Sequence, residues 1–159
     1  MGPRIKAAVE SYKPLTVTDY LRHKSKIHEL RMSFCAWWKS QGLDHIITPG
    51  YGCQPNLNEI TGEIFSTVMY TSVWNTLNMP VGALPITVVR EDEQHYESAH
   101  NDSITRRLRQ TAQGSTGLPV GILVVGLPFE EEKILSLMKS IEEAVGFEKN
   151  RRIVKLPKA

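Results

Sequence analysis

An unbroken apolar run near the C-terminal end of the chain constrains the fold more than any other feature of the sequence. Residues 122–125 read Ile-Leu-Val-Val and lie inside a strand-like segment that extends from Val120 to Leu127. A continuous run of this kind is typical of a strand that is buried on both faces. Such a strand needs neighbouring strands on both edges, so the sequence predicts a sheet with this segment in its interior.

Helical and strand-like segments alternate through the rest of the chain. Thr16 or Thr18 can cap a long helix that stops at Gly42, and the second half of this helix is its buried end. The other predicted elements are a buried strand over 44–49, a helix over 63–77 with few charges and therefore cover on both faces, a strand over 81–89, a short helix over 103–110, and a helix after Phe129 that ends at Gly146.

Local signals add detail to these elements. Pro85 interrupts the strand over 81–89, which indicates an edge position or a bulge. Asn75 is expected to hydrogen-bond to the backbone where its helix ends, before Pro80 forbids further helix. Gly82 and Gly121 lack side chains, so we expect secondary-structure elements to approach closely at both positions.

The order of the elements is typical of an α/β sandwich. Three separated strands make a poor independent sheet, so we expect a partial mixed sheet with flanking helices that forms part of a larger sheet. The predicted organisation is a basic lead-in over 1–15, the α/β domain over 16–147 and a basic tail over 148–159.

Charge and composition argue against a nucleic-acid partner. The 159 residues carry 19 basic and 17 acidic side chains, a net charge of +2, which is no signature of a polyanion-binding protein. Two basic patches, one formed by Arg106, Arg107 and Arg109 and the other by the tail, lack the interleaved aromatic residues of single-strand binders. We expect a solvated face or a protein contact at each patch.

Cysteine usage and hydropathy bear on the compartment. Cys35 and Cys53 make no disulfide framework and no CxxC motif, so we expect a reducing intracellular compartment, either the cytoplasm or an organelle such as the mitochondrion. The longest uncharged stretch, 64–89, contains Asn75, Pro80 and Gly82, a set that a single membrane helix tolerates poorly. This stretch is therefore interpreted as a buried helix, a turn and a strand.

No complete active site emerges from local motifs. Two histidine pairs are spaced five residues apart, whereas helical metal-ligand pairs need three or four, so no metal and no other cofactor is expected. A GxSxG motif is absent, and the Gly-Ser-Thr-Gly segment at 114–117 lacks the lysine of a phosphate-binding loop. We assign no catalytic residue from these patterns.

Several separated motifs, in the same order along the chain, carry a resemblance to a known family. They are residues 37–39 (Trp-Trp-Lys) with 43–49, residues 70–75 (Tyr-Thr-Ser-Val-Trp-Asn) with 78–85 (Asn-Met-Pro-Val-Gly-Ala-Leu-Pro), and residues 117–129, which begin Gly-Leu-Pro-Val-Gly. Together they resemble the C-terminal third of the amidase signature family. The spacing is most similar to the fatty acid amide hydrolase branch, and the resemblance covers residues 16–145.

This resemblance implies amide hydrolysis by a Ser-cis-Ser-Lys triad that lies in a Gly/Ser-rich region upstream of this portion. No part of the chain matches that region, so no catalytic residue is carried over, and the isolated chain is expected to hydrolyse neither amides nor esters. In the fatty acid branch, this portion contributes the acyl-chain channel and part of a membrane-docking cap. Val68, Met69 and Ser72 fall where channel-lining residues are expected, with core packing as the alternative for each.

The cap is the point at which the chain departs from that branch. A membrane-docking cap should be apolar, but its equivalent at residues 20–26 reads Tyr-Leu-Arg-His-Lys-Ser-Lys. This charge argues against docking to a membrane surface.

Three functions agree with these observations. We favour a non-catalytic, amidase-derived structural or accessory subunit of a larger assembly, whose open sheet edge and basic segments bind other protein subunits. One alternative is the C-terminal piece of a split amidase, similar to fatty acid amide hydrolase, with its Ser-Ser-Lys portion on another chain. A second alternative is an acyl-chain binding module. The open edge also predicts that the chain is stable only in a hetero-oligomeric complex that buries more than ~1,000 Å² of its surface.

Overall fold

The computed structural model describes Lys6 and residues 9–147, apart from the side chains of residues 65 and 66. The predicted basic tail, 148–159, lies outside the described residues. Between residues 17 and 145, the helices are α1 (Val17–Ser40), α2 (Met69–Leu77), α3 (Ser103–Ala112) and α4 (Glu131–Val145), and the strands are β1 (Ile46–Pro49), β2 (Val81–Val88) and β3 (Pro119–Val125). Short 3-10 helices cover Phe65–Val68 and Glu91–Glu93.

The three strands form one sheet in the order β1-β3-β2, so β3 is the central strand that the apolar run predicts. β1 pairs with β3 from Ile46 opposite Val125 to Pro49 opposite Ile122, and β2 pairs with β3 from Val81 opposite Val125. The predicted α/β class, with a partial sheet and flanking helices, is confirmed. A mixed sheet is expected from the sequence, but both described pairings are antiparallel, because β1 and β2 run in one direction and β3 runs against both.

The C-terminal half of β3 is buried between two layers. Leu123, Val124 and Val125 are all buried, and the last two are completely inaccessible to solvent. Because successive side chains of a strand point to opposite faces, Val124 faces α4 beside Gly82 of β2, and the other two join an aromatic core on the opposite face. Burial on both faces is therefore confirmed for this half of β3, whereas residues 120–122 are only half-buried.

The aromatic core lies where α1 and α2 meet the sheet. Trp38 is fully buried, and its indole N–H donates a hydrogen bond to the carbonyl oxygen of Leu43 at 2.6 Å. The ring of Phe34 lies 6.0 Å from the ring of Trp38 and 6.2 Å from that of Trp74. Trp37, the preceding residue of α1, is 47% exposed. The second half of α1 is thus its buried end, as predicted.

The first two-thirds of α1 carry little cover from the rest of the described chain. Thr16 caps the helix as predicted, because its hydroxyl accepts a hydrogen bond from the N–H of Asp19 at 3.1 Å. Trp38 is the one buried residue within α1. We call residues 17–32 the exposed segment of α1, and its exposed apolar side chains include Tyr20, Leu21, Ile27, Leu30 and Met32. No described helix combines the length and the apolar composition needed to cross a lipid bilayer.

Two predictions of burial are wrong. β1 is predicted to be buried, but it alternates between half-buried and exposed residues, and Ile47 is 53% exposed. α2 is predicted to be covered on both faces, but it buries Trp74 and Leu77 and exposes Met69 and Val73. The physical reason is similar in both cases: β1 is an edge strand and α2 packs against the core with one face, so each has an uncovered side in the described chain.

Residues of special backbone geometry end the elements. Asn78, rather than Asn75, terminates α2 in the left-handed conformation at φ 51°, and its N–H donates to the backbone carbonyl oxygen of Asn75 at 3.1 Å. Gly146 ends α4 at φ 62°, as predicted. The register of β2 against β3 shifts between Pro85 and Thr87, which confirms the irregularity predicted from Pro85.

Close approaches are confirmed at both predicted glycines. A Cβ at Gly121 would lie 2.9 Å from the backbone carbonyl oxygen of Leu84, and a Cβ at Gly82 would overlap the side chain of Met138 on α4. A methionine side chain can change its rotamer, but a backbone carbonyl inside a sheet cannot. Gly121 is therefore the position where an added side chain forces two strands apart.

We expect Gly121→Ala to lower the free energy of unfolding by about 1–3 kcal/mol, because the added methyl overpacks the contact between β3 and β2. Urea unfolding followed by circular dichroism measures the change. Gly62→Ala is the matched control, since a Cβ there meets no atom within 4 Å. Equal losses of stability in the two variants would contradict the close approach at Gly121.

Candidate functional site

A groove of about 600 Å³ opens beside the half-buried part of β3. Its floor consists of residues 120–123 of β3 and residues 83–85 of β2. One side is formed by the segment 50–56 that follows β1, which we call the wall segment and from which Gly50, Tyr51, Cys53, Pro55 and Asn56 line the groove. The remaining lining residues are Pro49, Thr61, Val68, Thr71 and Pro119. Residues 120–122 of β3 are only half-buried because they form the floor of this groove.

Hydrogen bonds to β3 and between its own side chains hold the wall segment in place. The N–H of Gly50 donates to the carbonyl oxygen of Gly121 at 3.3 Å, which attaches the start of the segment to β3. The amide nitrogen of Asn56 donates to the phenol oxygen of Tyr51 at 2.8 Å, and the thiol of Cys53 donates to the amide oxygen of Asn56 at 3.2 Å. Polar side chains of the wall thus bond to one another and leave an apolar surface toward the groove.

A second hydrophobic cluster holds the far end of the wall segment against α3. The N–H of Leu57 donates to the hydroxyl of Thr111 on α3 at 2.9 Å. A guanidinium nitrogen of Arg107 lies 2.8 Å from a carboxylate oxygen of Glu63. The buried residues of this cluster are Ile60, Ile64 and Leu108. The side of the groove is therefore fixed by contacts between segments that are about fifty residues apart in sequence.

The other arginines of the predicted basic patch bind the backbone before α3. Arg109 donates to the carbonyl oxygens of Ser98 and His100, both at 3.0 Å, and Arg106 donates to the carbonyl oxygen of Asn101 at 2.7 Å. These bonds hold residues 98–101 against the helix. The patch therefore contributes to the fold, in addition to the surface that it offers.

The groove is lined by apolar and neutral polar groups. No Asp, Glu, Lys, Arg or His side chain lines it among the residues that the structure describes. Across the described residues, no group of three or more His, Cys, Asp or Glu side chains is placed to hold a metal ion. The groove suits a neutral apolar chain, because an ionised group entering it would lose hydration without gaining a charged partner.

Among the described lining residues, the thiol of Cys53 has a shifted protonation equilibrium. Burial raises the pKa of this thiol to about 11. Since the thiolate is the nucleophilic form of cysteine, the protonated Cys53 is a poor nucleophile at neutral pH. Its role in the groove is that of a hydrogen-bond donor to Asn56.

Alkylation of Cys53 by iodoacetamide near pH 8 is expected to be at least about tenfold slower in the folded chain than in denaturant, where the thiol regains its ordinary pKa. Mass spectrometry of the Cys53 peptide gives both rates. The raised pKa also predicts that the free energy of unfolding falls as the pH rises from 9.0 toward 11, because the unfolded thiol releases its proton first. Equal alkylation rates in the two states would show that the thiol is not protected by burial.

One of the three predicted channel residues lines the groove. Val68 is a lining residue, whereas Met69 and Ser72 are not. Met69 is 64% exposed, and the hydroxyl of Ser72 donates to its carbonyl oxygen at 3.5 Å. Thr71 lines the groove and is missed by the sequence analysis, although its spacing of three residues from Val68 places both on one side of a helix. The wall segment carries no periodic signal, so its residues could not be identified in this way.

Comparison with known families gives one match that covers most of the chain. A family model described as Amidase matches residues 3–135. The chain is 31% identical over 144 residues to Fatty-acid amide hydrolase 1 of Sus scrofa, a match that covers 88% of this chain and 25% of that protein. It is 30% identical over 122 residues to Fatty acid amide hydrolase 1 of Caenorhabditis elegans, covering 75% of this chain and 21% of that protein.

A solved structure shares the fold. A structure of fatty acid amide hydrolase superposes with a TM-score of 0.66 at 20% sequence identity, over 84% of this chain and 24% of that one. The chain thus spans about a quarter of the length of the relatives that it matches.

Proposed function

The chain belongs to the amidase family, and from this we propose that it supplies the acyl-binding part of an amidase that hydrolyses fatty acid amides. The family relates the chain to hydrolases, and its relatives include two named for the hydrolysis of fatty acid amides. The observation that carries the proposal is the groove, which is apolar, is lined by Val68 and has no charged side chain among its described lining residues.

The size and chemistry of the groove support an acyl chain as its ligand. Its volume of about 600 Å³ lies within the ~300–1,000 Å³ of ordinary small-molecule sites. Each methylene that leaves water contributes about 0.8 kcal/mol, so a long chain gains affinity without any charged contact. The hydroxyl of Thr71 donates its hydrogen to the carbonyl oxygen of Val68 at 2.8 Å. The lone pairs of the hydroxyl oxygen therefore remain as acceptors at the groove surface.

In this proposal the chain binds and orients the substrate, and the Ser-Ser-Lys chemistry comes from polypeptide outside residues 1–159. Two features of the groove support this division. No lysine lines it within the described part of the chain, and its cysteine is protonated at neutral pH. An amide bond held in the groove therefore meets neither the lysine base that the family triad requires nor a competent thiolate.

Binding of a radiolabelled long-chain primary amide to the purified chain tests the proposal. We expect Val68→Asp to weaken binding at least about tenfold, because the carboxylate would have to be desolvated by the bound chain. Val73→Asp is the matched control, since Val73 is exposed, belongs to the adjoining helix and is not a lining residue. The proposal fails if the unmodified chain does not bind the amide, or if the two variants bind it equally well.

A second candidate function, an accessory subunit that binds other proteins, is favoured by the exposed segment of α1. Its apolar side chains lack cover in the described chain, as does the outer side of β1. Proteins that associate permanently bury more than ~1,000 Å² at such surfaces. Analytical ultracentrifugation of the purified chain is the test, and a soluble monomer with cooperative unfolding at micromolar concentration would argue against this role.

A further inference from the structure

We infer that Gln54 is the specificity-determining residue that limits the length of the apolar chain accepted by the groove, an inference that rests on the proposed function. Gln54 belongs to the wall segment, between two residues that line the groove, Cys53 and Pro55. Gln54 itself lines a second cavity of about 350 Å³, together with Val120 and residues between Thr87 and His95. Gln54 therefore borders the second cavity, while its two chain neighbours line the groove.

The side chain of Gln54 hydrogen-bonds to a distant part of the chain, and we call this pair of hydrogen bonds the clasp. Its amide nitrogen donates to the carbonyl oxygen of Glu93 at 2.9 Å and to that of His95 at 2.8 Å. The partners are 39 and 41 residues away in sequence, so the clasp joins the wall segment to the connection between β2 and α3. The middle of the wall segment is thereby attached to this connection, in addition to the attachments near its two ends.

The partner side of the clasp is itself well fixed. The backbone N–H of Arg90 donates to a carboxylate oxygen of Glu93 at 2.9 Å, and the two side chains form an ion pair at 2.7 Å. The next residue, Gln94, accepts a hydrogen bond from the N–H of Gly114 at 2.9 Å. Gln54 thus hydrogen-bonds to carbonyl groups that are themselves held in place, so its side chain is fixed. We call this fixed side chain the partition between the groove and the second cavity.

The position and chemistry of the partition point to a limit on chain length. Val120 of β3 lines both the groove and the second cavity, so the two spaces adjoin at this residue. The amide oxygen of Gln54 is buried and has no hydrogen-bond partner among the described protein atoms. An apolar chain that extended beyond the groove would have to break the two hydrogen bonds of the clasp and leave the Glu93 and His95 carbonyl oxygens without this donor, which is unfavourable. Removing the side chain would join the two spaces.

The experiment measures the affinity of the full chain for saturated primary amides of increasing length, with Gln54→Ala compared with the unmodified protein. We expect the affinity of the unmodified protein to stop rising at a given length and that of Gln54→Ala to continue rising. The ratio of affinities for a long and a short amide should increase about tenfold in the variant, as expected for roughly two additional buried methylenes.

Gln94→Ala is the matched control. Gln94 hydrogen-bonds within the same connection, to the carbonyl oxygen of Glu91 and the N–H of Gly114, but it is not among the lining residues of either space. We expect it to leave the length profile unchanged. A Gln54→Ala variant that loses thermal stability but keeps the length profile of the unmodified protein would overturn the inference.

Hydrogen exchange separates a failure of this inference from a failure of the proposed function. Faster amide exchange at residues 51–56 in Gln54→Ala than in Gln94→Ala is the expected result, and it needs no ligand. Unchanged exchange would overturn the clasp whatever the ligand proves to be. If exchange increases as expected but the unmodified chain binds no amide of any length, the proposed function fails, and the length limit fails with it.

Discussion

Val124→Asp is expected to abolish cooperative folding of the chain. Val124 is completely buried in the central strand, and no cationic side chain faces it in the described register, where its neighbours are Gly82 and Ile47. An unpaired carboxylate at this position would cost on the order of 5 kcal/mol, as much as the whole stability of many domains. Far-ultraviolet circular dichroism during urea titration measures the result.

Ile47→Asp is the matched control for this change. Ile47 lies directly opposite Val124 in the register of β1 and β3, but it is 53% exposed. The same carboxylate there can remain hydrated, so we expect a loss of no more than about 1 kcal/mol. If the Val124 variant unfolds with the same midpoint as the Ile47 variant, the result would contradict the burial of Val124 in the central strand.

Trp38→Ala is expected to lower the free energy of unfolding by about 3–5 kcal/mol, the usual range for removing a buried tryptophan. The substitution empties the middle of the aromatic core and removes the hydrogen bond to the Leu43 carbonyl oxygen. Guanidinium unfolding followed by circular dichroism gives the difference from the unmodified chain.

Trp37→Ala provides the comparison, because it removes the same side chain from the adjacent residue, where it is 47% exposed and only its contact with Phe34 is lost from the ring cluster. We expect a cost of about 1 kcal/mol. Comparable losses in the two variants would mean that α1 is rotated relative to the sheet.

The parts of the fold that sequence reasoning predicts well are set by neighbouring residues. The cap at Thr16, the stop at Gly146 and the irregularity at Pro85 each depend on the backbone chemistry of a few consecutive positions. The burial of β1 and α2 is predicted incorrectly, because it depends on how many elements surround them. A count of apolar residues within a strand does not reveal whether a further strand lies beside it.

The residues of the groove likewise fall into those that the sequence can predict and those that it cannot. Val68 could be placed in it from the resemblance, and Thr71 could have been added from helical spacing. The wall segment could not, because its position depends on bonds such as those from Leu57 to Thr111 and from Gln54 to Glu93, which join distant parts of the chain. Neither glutamine nor a short polar loop carries a periodic pattern that would indicate such contacts.

The placement of the tryptophans has a spectroscopic consequence. All three, Trp37, Trp38 and Trp74, lie around Phe34, and none lines the groove. Intrinsic tryptophan emission should therefore report the melting of the region around Phe34 and remain nearly silent when a ligand enters the groove. Tyr51 stands in the groove wall instead. Replacing this tyrosine by tryptophan, with the three tryptophans around Phe34 kept, would add an emission component that responds to occupancy of the groove, while those three tryptophans continue to report unfolding.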